Sequence, residues 1–292
     1  MRLEDWARDS HFQTKWVVPK QEVQFYSAWS TLIFTVDSRR CSLNGVNVWL
    51  SFPIALRNGS VCIAATDLST AVQPVLLPSK NPKGHTITTI CLDPGHGGKD
   101  PGNREGAQQE KKYTLLLAQE LSALLTKAGF RVNLTRSADN FVELPSRPEI
   151  ARRRGADLFV SLHFNSADGA GASAVKGTEV YCMTPARLSS TNARGEGAGT
   201  GSYPGNRFDS KNVLLAYHIQ KALVRNLGVE DRGLRRARFA VLRSAEMPAV
   251  LIEGGFMTHP GEARRIYDAA YRQQMAQAIV DAVLAYKKLV EP

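Results

Sequence analysis

Three apolar runs in this chain each deliver a polar residue at their carboxyl end, and that repetition constrains the fold more than any other feature. Leu92-Asp93-Pro94-Gly95 leads to His96, Leu158-Phe159-Val160-Ser161-Leu162 ends at His163, and Ala249-Val250-Leu251-Ile252 ends at Glu253 before Gly254-Gly255. Short apolar runs bounded by turn signals read as buried strands. In an open α/β sheet the ligand crevice lies beyond the carboxyl ends of the strands, so three such residues converge on one place. Packing alone gives no reason for the repetition.

A fourth residue joins them through helical spacing. From Glu110 to Ala128 the apolar residues Tyr113, Leu117, Leu121, Leu124, Leu125 and Ala128 form one stripe, in register with the carboxylate. Glu110 therefore points inward, where an unpaired carboxylate is expensive and a metal ion is one of the few partners that removes the cost. Taken alone, Glu110 also fits a helix-start acid that complements the dipole. Two imidazoles and one carboxylate with an open fourth position make a recurring catalytic zinc set, whereas structural zinc sites are closed by four protein ligands and rich in cysteine. On this reading His96, Glu110 and His163 bind one Zn2+ per chain, water takes the open position, and Glu253 is the general base. Glu253 also fits a ligand or a structural acid. Gly95, Gly97, Gly98 and Gly102 lack both the GxGxxG and the P-loop pattern, so tight turning around a ligand explains them better than a phosphate cradle.

The same residues carry a family resemblance. The runs Asp93-Pro94-Gly95-His96-Gly97-Gly98 with Asp100-Pro101-Gly102, Glu110-Lys111, Thr135-Arg136, Ser161-Leu162-His163-Phe164-Asn165 and Val250-Leu251-Ile252-Glu253-Gly254-Gly255-Phe256 resemble the zinc-dependent N-acetylmuramoyl-L-alanine amidases of the amidase 3 family. The resemblance spans residues 86 to 289. It implies a hydrolase of the amide between the lactyl group of N-acetylmuramic acid and the first L-alanine of the peptidoglycan stem, hence cell-wall degradation. It also implies zinc on His96, Glu110 and His163 and catalysis by Glu253. Asn165 lies two residues beyond His163, on the same side of an extended chain, and is placed to touch substrate or a ligand. Asp93 and Arg147 are weaker site candidates, for which a structural role in the turn or helix serves as well. The alternatives are a zinc peptidase or deacetylase acting on the same polymer, or an inactive wall-binding protein.

Composition bounds the rest. With 292 residues, 43% hydrophobic and 22% charged, the chain can bury a sizeable core and is not disordered throughout. No stretch approaches the 18 apolar residues of a membrane span. Peptidoglycan as substrate implies the periplasm or the extracellular envelope, yet Met1-Arg2-Leu3-Glu4-Asp5-Trp6 is no secretory core, so a leader is expected to have been trimmed or to lie upstream. A net charge of +10 suits a polyanionic neighbourhood. Nucleic acid is not the expected partner, because Arg152-Arg153-Arg154 and Arg235-Arg236 are short clusters without interleaved aromatics. Peptidoglycan is, with room for a protein activator. Cys41, Cys62, Cys91 and Cys182 show no zinc-type spacing. Cys91 and Cys182 read as buried strand residues, and Cys41 could pair with Cys62 in an oxidising compartment.

The Pro/Gly-containing stretch from Pro78 to Gly84 marks a boundary. We expect a small strand-rich domain over residues 1–80, a linker at 81–85 and a catalytic domain over 86–292. The first is similar to the N-terminal domain of copper amine oxidases in Leu43-Asn44-Gly45-Val46, Asn58-Gly59-Ser60-Val61 and Asp67-Leu68, a likeness of fold that implies no copper, with Asp5-Trp6-Ala7 echoing Asp67-Leu68-Ser69. It is expected to aid placement on the wall, so that a chain beginning near Lys83 keeps its activity on small soluble substrates. The second alternates strands and amphipathic helices, which predicts an α/β fold: a mixed sheet flanked by helices on both faces. Ser146-Arg147-Pro148-Glu149 reads as a capping box opening a short helix that Gly155 ends. The last helix buries Met275, Ile279, Ala282, Val283 and Tyr286. The glycine-rich segment Thr184 to Ser210 is too rich in glycine for a stable inserted helix and is expected to be a lid over the groove.

Overall fold

In the computed structural model, which describes all residues except 193–196, 198 and 200, the strand-forming runs join one mixed sheet. Its strands are β1 (Gln13–Val18), β2 (Glu22–Tyr26), β3 (Thr31–Thr35), β4 (Arg40–Leu43), β5 (Val46–Trp49), β6 (Thr89–Pro94), β7 (Arg131–Leu134), β8 (Leu158–Asn165), β9 (Thr178–Met183), β10 (Asp231–Ala237) and β11 (Ala249–Phe256). The spatial order is β1-β2-β3-β4-β5-β10-β9-β11-β8-β6-β7. β7, β6, β8 and β11 run parallel, while β9 is antiparallel to β11 and parallel to β10.

Alternate residues of these strands serve opposite faces, as the pleat requires. Leu92, Val160, Leu162 and Ile252 join the larger apolar cluster with residues of α1 (Glu110–Lys127), α3 (Asp209–Leu227) and α4 (Ala269–Val290). Cys91, Phe159 and Leu251 join a second cluster with Ala151 of α2 (Ser146–Arg153) and with Val241 and Leu242. Both faces are thus covered by helices, the layering that a near-continuous apolar strand demands. The predicted stripe of α4 is buried at Met275, Ile279, Ala282, Val283 and Tyr286. α2 starts at Ser146 without a side-chain cap, because Pro145 occupies the capping position, so the capping box read from sequence does not form. Gly155 follows α2 at φ +62°, the left-handed conformation that ends a helix.

All four cysteines are free thiols, Cys41 on β4 and Cys62 on a separate small hairpin. Asp5 is half-buried beside Arg2 and Arg8, whereas Asp67 is fully buried and accepts the Ser51 and Phe52 backbone N–H groups. The two segments therefore do different structural work.

Residues 78–88 are irregular, but the sheet does not stop there. β5 lies parallel to β10 through the pair Val48 and Leu234. Asn47 N–H donates to Asp231 at 2.7 Å and the Tyr217 hydroxyl donates to the Leu43 carbonyl at 3.1 Å. Phe25, Phe34, Val48, Leu215 and Tyr217 share one apolar cluster. A chain beginning at Lys83 would expose the β10 edge and the apolar residues beneath β1–β5. Losing cover over even two core side chains costs about 3 kcal/mol or more, which corresponds to a melting temperature lower by roughly 6–12 °C for a domain of this size. Thermal melts of the shortened and full-length chains check this, and equal melting temperatures would mean that β1–β5 are an appendage.

Candidate metal centre and active-site groove

β6 ends at Pro94, and the chain turns at once through Gly95 and His96. His96 has φ +63°, an uncommon conformation for a residue with a side chain. Two buried arginines hold the turn by its carbonyl groups. Arg136 donates to Pro94 and Gly95, and Arg147 donates to Pro94 and His96, all at 2.8–2.9 Å. Asp93, fully buried, balances Arg147 at 2.8 Å and also accepts the Thr135 and Ser161 hydroxyls. A buried charge is tolerable only when paired and fully hydrogen-bonded, and this pair satisfies both conditions. Asp93 and Arg147 therefore support His96 from behind. Arg136, quoted in the sequence motif without a role, does the same.

Glu110 opens α1 with only 2% of its surface exposed. Its Oε2 lies 3.0 Å from His96 Nε2, and its Oε1 lies 3.0 Å from His163 Nδ1. The Asn103 and Phe164 backbone N–H groups donate to it as well. Burial pushes the carboxyl pKa up, but hydrogen bonds to His163 and His96 outweigh that and hold it well below the usual range. For His96 burial lowers the pKa, while Glu110 and Asp100 raise it above the ordinary value. Asp100 Oδ2 lies 2.8 Å from His96 Nδ1 and fixes the ring with Nε2 facing Glu110. Outer partners of this kind are half of a metal site, and Asp100 was quoted in the sequence motif without being given that role.

One donor atom each from His96, Glu110 and His163 lies within 4.8 Å of the others. Two imidazole nitrogens and a buried carboxylate oxygen, with no thiol, suit a zinc ion with a place left open. Gly95 and Gly102 are glycines because of this cluster. A Cβ on Gly95 would collide with the His163 ring, and one on Gly102 would meet Glu110 and His96. Gly95→Ala is therefore expected to displace His163 and weaken zinc binding at least about 10-fold, the scale of a disturbed ligand shell. Zinc titration checks this, and unchanged affinity with an unchanged circular dichroism spectrum would refute it.

Glu253 sits directly across the ladder from His163 on one side and from Glu179 on the other. Its Oε2 is sheltered from solvent and has no hydrogen-bond partner among the described residues. Burial first, then the Glu110 and Glu179 carboxylates, raise its pKa well above the usual value. A carboxyl raised by burial and like charges, in a cleft beside a metal-type cluster, is a candidate functional group. Glu179 was missed in the sequence. It is buried, accepts Asn165 Nδ2 at 2.9 Å and the Tyr181 hydroxyl at 2.8 Å, and faces both Arg232 and Arg235. Asn165, held by Glu179, lies on the lining of the groove.

Two cavities, of about 300 and 770 Å3, share His96, His163, Phe239 and Glu253. Together they form one groove with two arms. The smaller arm has apolar walls at Leu144, Val241 and Leu251, and the larger is polar, with Asn103, Asn165, Ser166 and Arg232. Residues 1–80 contribute nothing to either lining. The lid expected over Thr184 to Ser210 lies in its middle part outside the described residues. Its flanks are fastened: Thr184 and Ser190 hydroxyls bond at 2.7 Å, and Asn206 donates to the Thr184 carbonyl.

A mixed sheet whose strand ends, together with the start of α1, bring two histidines, a buried carboxylate and a second, sheltered acid to one groove has the layout of a hydrolase built around a metal-type site. Comparison with known proteins sharpens this. The sequence profile of N-acetylmuramoyl-L-alanine amidases matches residues 90–285. The amidase AmiA of Escherichia coli is 34% identical over 221 residues, covering 68% of this chain and 75% of AmiA. AmiC2 of Nostoc punctiforme, a solved structure, is 35% identical with a TM-score of 0.58, covering 70% of this chain and 99% of AmiC2. The CwlD amidase of Clostridioides difficile, solved in complex with the GerS lipoprotein, is 26% identical with a TM-score of 0.55, over 68% of this chain and 98% of CwlD. The chain belongs to the N-acetylmuramoyl-L-alanine amidases, hydrolases of the amide between N-acetylmuramic acid and the L-alanine of peptidoglycan.

Proposed function

We propose that this amidase works with one zinc ion held by His96, Glu110 and His163, with Glu253 as the proton-transferring residue, on peptidoglycan in the periplasm or the extracellular envelope. The observation that carries the reading is the juxtaposition of the three donor atoms with the orphaned Glu253 Oε2 on one groove. A bound zinc supplies Lewis acidity that polarises a carbonyl and acidifies water. The protein's own groups do the rest. Glu253 takes a proton from the attacking water as its oxygen bonds to the carbonyl carbon. The same carboxyl returns the proton to the nitrogen as the C–N bond breaks. Asp100 and Glu110 fix the His96 ring, and Asp93 with Arg147 and Arg136 hold its backbone. Asn165, braced by Glu179, is placed to touch the substrate.

We further propose that residues 86–292 carry the catalysis, with residues 1–80 supporting the sheet and contacting the wall. A protein partner, such as CwlD has in GerS, is part of the same proposal. Mass spectrometry of peptidoglycan digested by the zinc-loaded protein tests the reaction. The expected products are lactyl-bearing glycan and stem peptides with a free L-alanine amine. Free sugar amines would indicate a deacetylase instead, and shortened peptides a peptidase.

A further inference from the structure

The polar arm of the groove carries a cation that the chemistry above does not use. Arg232, with 25% of its side chain exposed, is the lone arginine or lysine among the described residues lining that arm. Arg147, on the other arm, is buried and spent on Asp93 and backbone carbonyls. Arg232 and Arg235 share the single carboxylate of Glu179, at 3.2 and 2.8 Å, which leaves one positive charge uncompensated. Arg235 is buried and donates Nη1 to the Thr191 carbonyl, so the surplus is presented at Arg232. There Nε faces Glu179, Nη1 reaches the Lys176 carbonyl only at 3.5 Å, and Nη2 has no partner among the described residues. The guanidinium lies over the Phe256 ring at 4.8 Å, and the N-terminal strands hold its backbone, since Trp49 Nε1 donates to the Arg232 carbonyl at 2.8 Å. A braced, partly used guanidinium, the lone arginine or lysine among the described residues of a polar arm, is built to receive an anion.

Resting on the amidase reading, we infer that Arg232 is a specificity-determining residue that binds a carboxylate on the peptide side of the scissile amide. The sugar and its lactyl carbonyl carry no charge once joined in the amide, so a carboxylate can reach the groove only from the peptide. Without Arg232, no arginine or lysine among the described residues of that arm would meet it.

The test uses the full-length zinc enzyme and two soluble muropeptides that differ only in whether the residue after L-alanine bears a free or an amidated α-carboxylate. The wild type should favour the free acid. Arg232→Gln should lower kcat/KM on the free acid by about 10- to 100-fold, the scale of one charge-assisted contact, mainly through KM, and change the amidated substrate little. Arg232→Lys should recover part of the preference. Glu179 keeps Arg235, Asn165 and Tyr181 in both variants, so its burial stays compensated. Equal loss on both substrates, or a preference unchanged by the substitution, would overturn the inference. A wild type that cleaves both equally would overturn it too, whereas one that cleaves neither would overturn the amidase reading itself.

Discussion

His163→Ala is expected to leave a folded protein that holds no zinc and has no measurable amidase activity. Removing one of three protein ligands should cost more than the roughly 10- to 100-fold in affinity that follows loss of an outer partner. Glu110 would still accept the Asn103 and Phe164 backbone N–H groups, so its carboxylate would remain hydrogen-bonded and the start of α1 should survive. Elemental analysis of the purified variant gives the answer directly. One zinc per chain in His163→Ala would remove the ligand assignment, whatever the activity.

Glu253→Gln is expected to separate binding from chemistry. The amide keeps the size of the side chain but cannot take up a proton, and loss of a general base typically costs 100-fold or more. Zinc content should be unchanged, because the substitution leaves all three donors in place. The metal-free variant should melt no lower than the parent: a carboxyl whose folded pKa is raised lowers stability as pH climbs past its ordinary value, and glutamine removes that penalty. Near-normal turnover would refute the proton-transfer role. Loss of zinc would instead make Glu253 a ligand.

The candidate site was legible where local patterns reach it. His96, His163 and Glu253 follow apolar runs, and Glu110 falls on the buried stripe of α1, so strand period and helix period together aim all four at one place. The residues that were missed act across the fold. Asp100 reads as part of a turn until its carboxylate is seen against His96 Nδ1. Glu179 carries no local signal, and Arg235-Arg236 reads only as a short basic cluster, yet all three lie inside, where charged residues are rarely found. Glu179 is buried against Arg235 on the neighbouring strand, while Arg236 donates to the Thr70 carbonyl, and no sequence period records such partners.

The sequence by itself determined the order of strands and helices, the two-faced covering of the sheet and the converging set at the strand ends, since each follows from side-chain spacing within one element. Tertiary structure decided what joins those elements. The run of β1–β5 onto the edge of β10 rests on contacts between side chains and backbone, as where the Asp231 carboxylate accepts the Asn47 N–H and Trp49 Nε1 donates to the Arg232 carbonyl, and no local sequence pattern pairs groups some 184 positions apart. The same holds for the close approach of Gly95 to the His163 ring and for the arginines that grip the 94–96 carbonyls. These depend on distances between segments far apart in the chain, which only the folded sheet brings together.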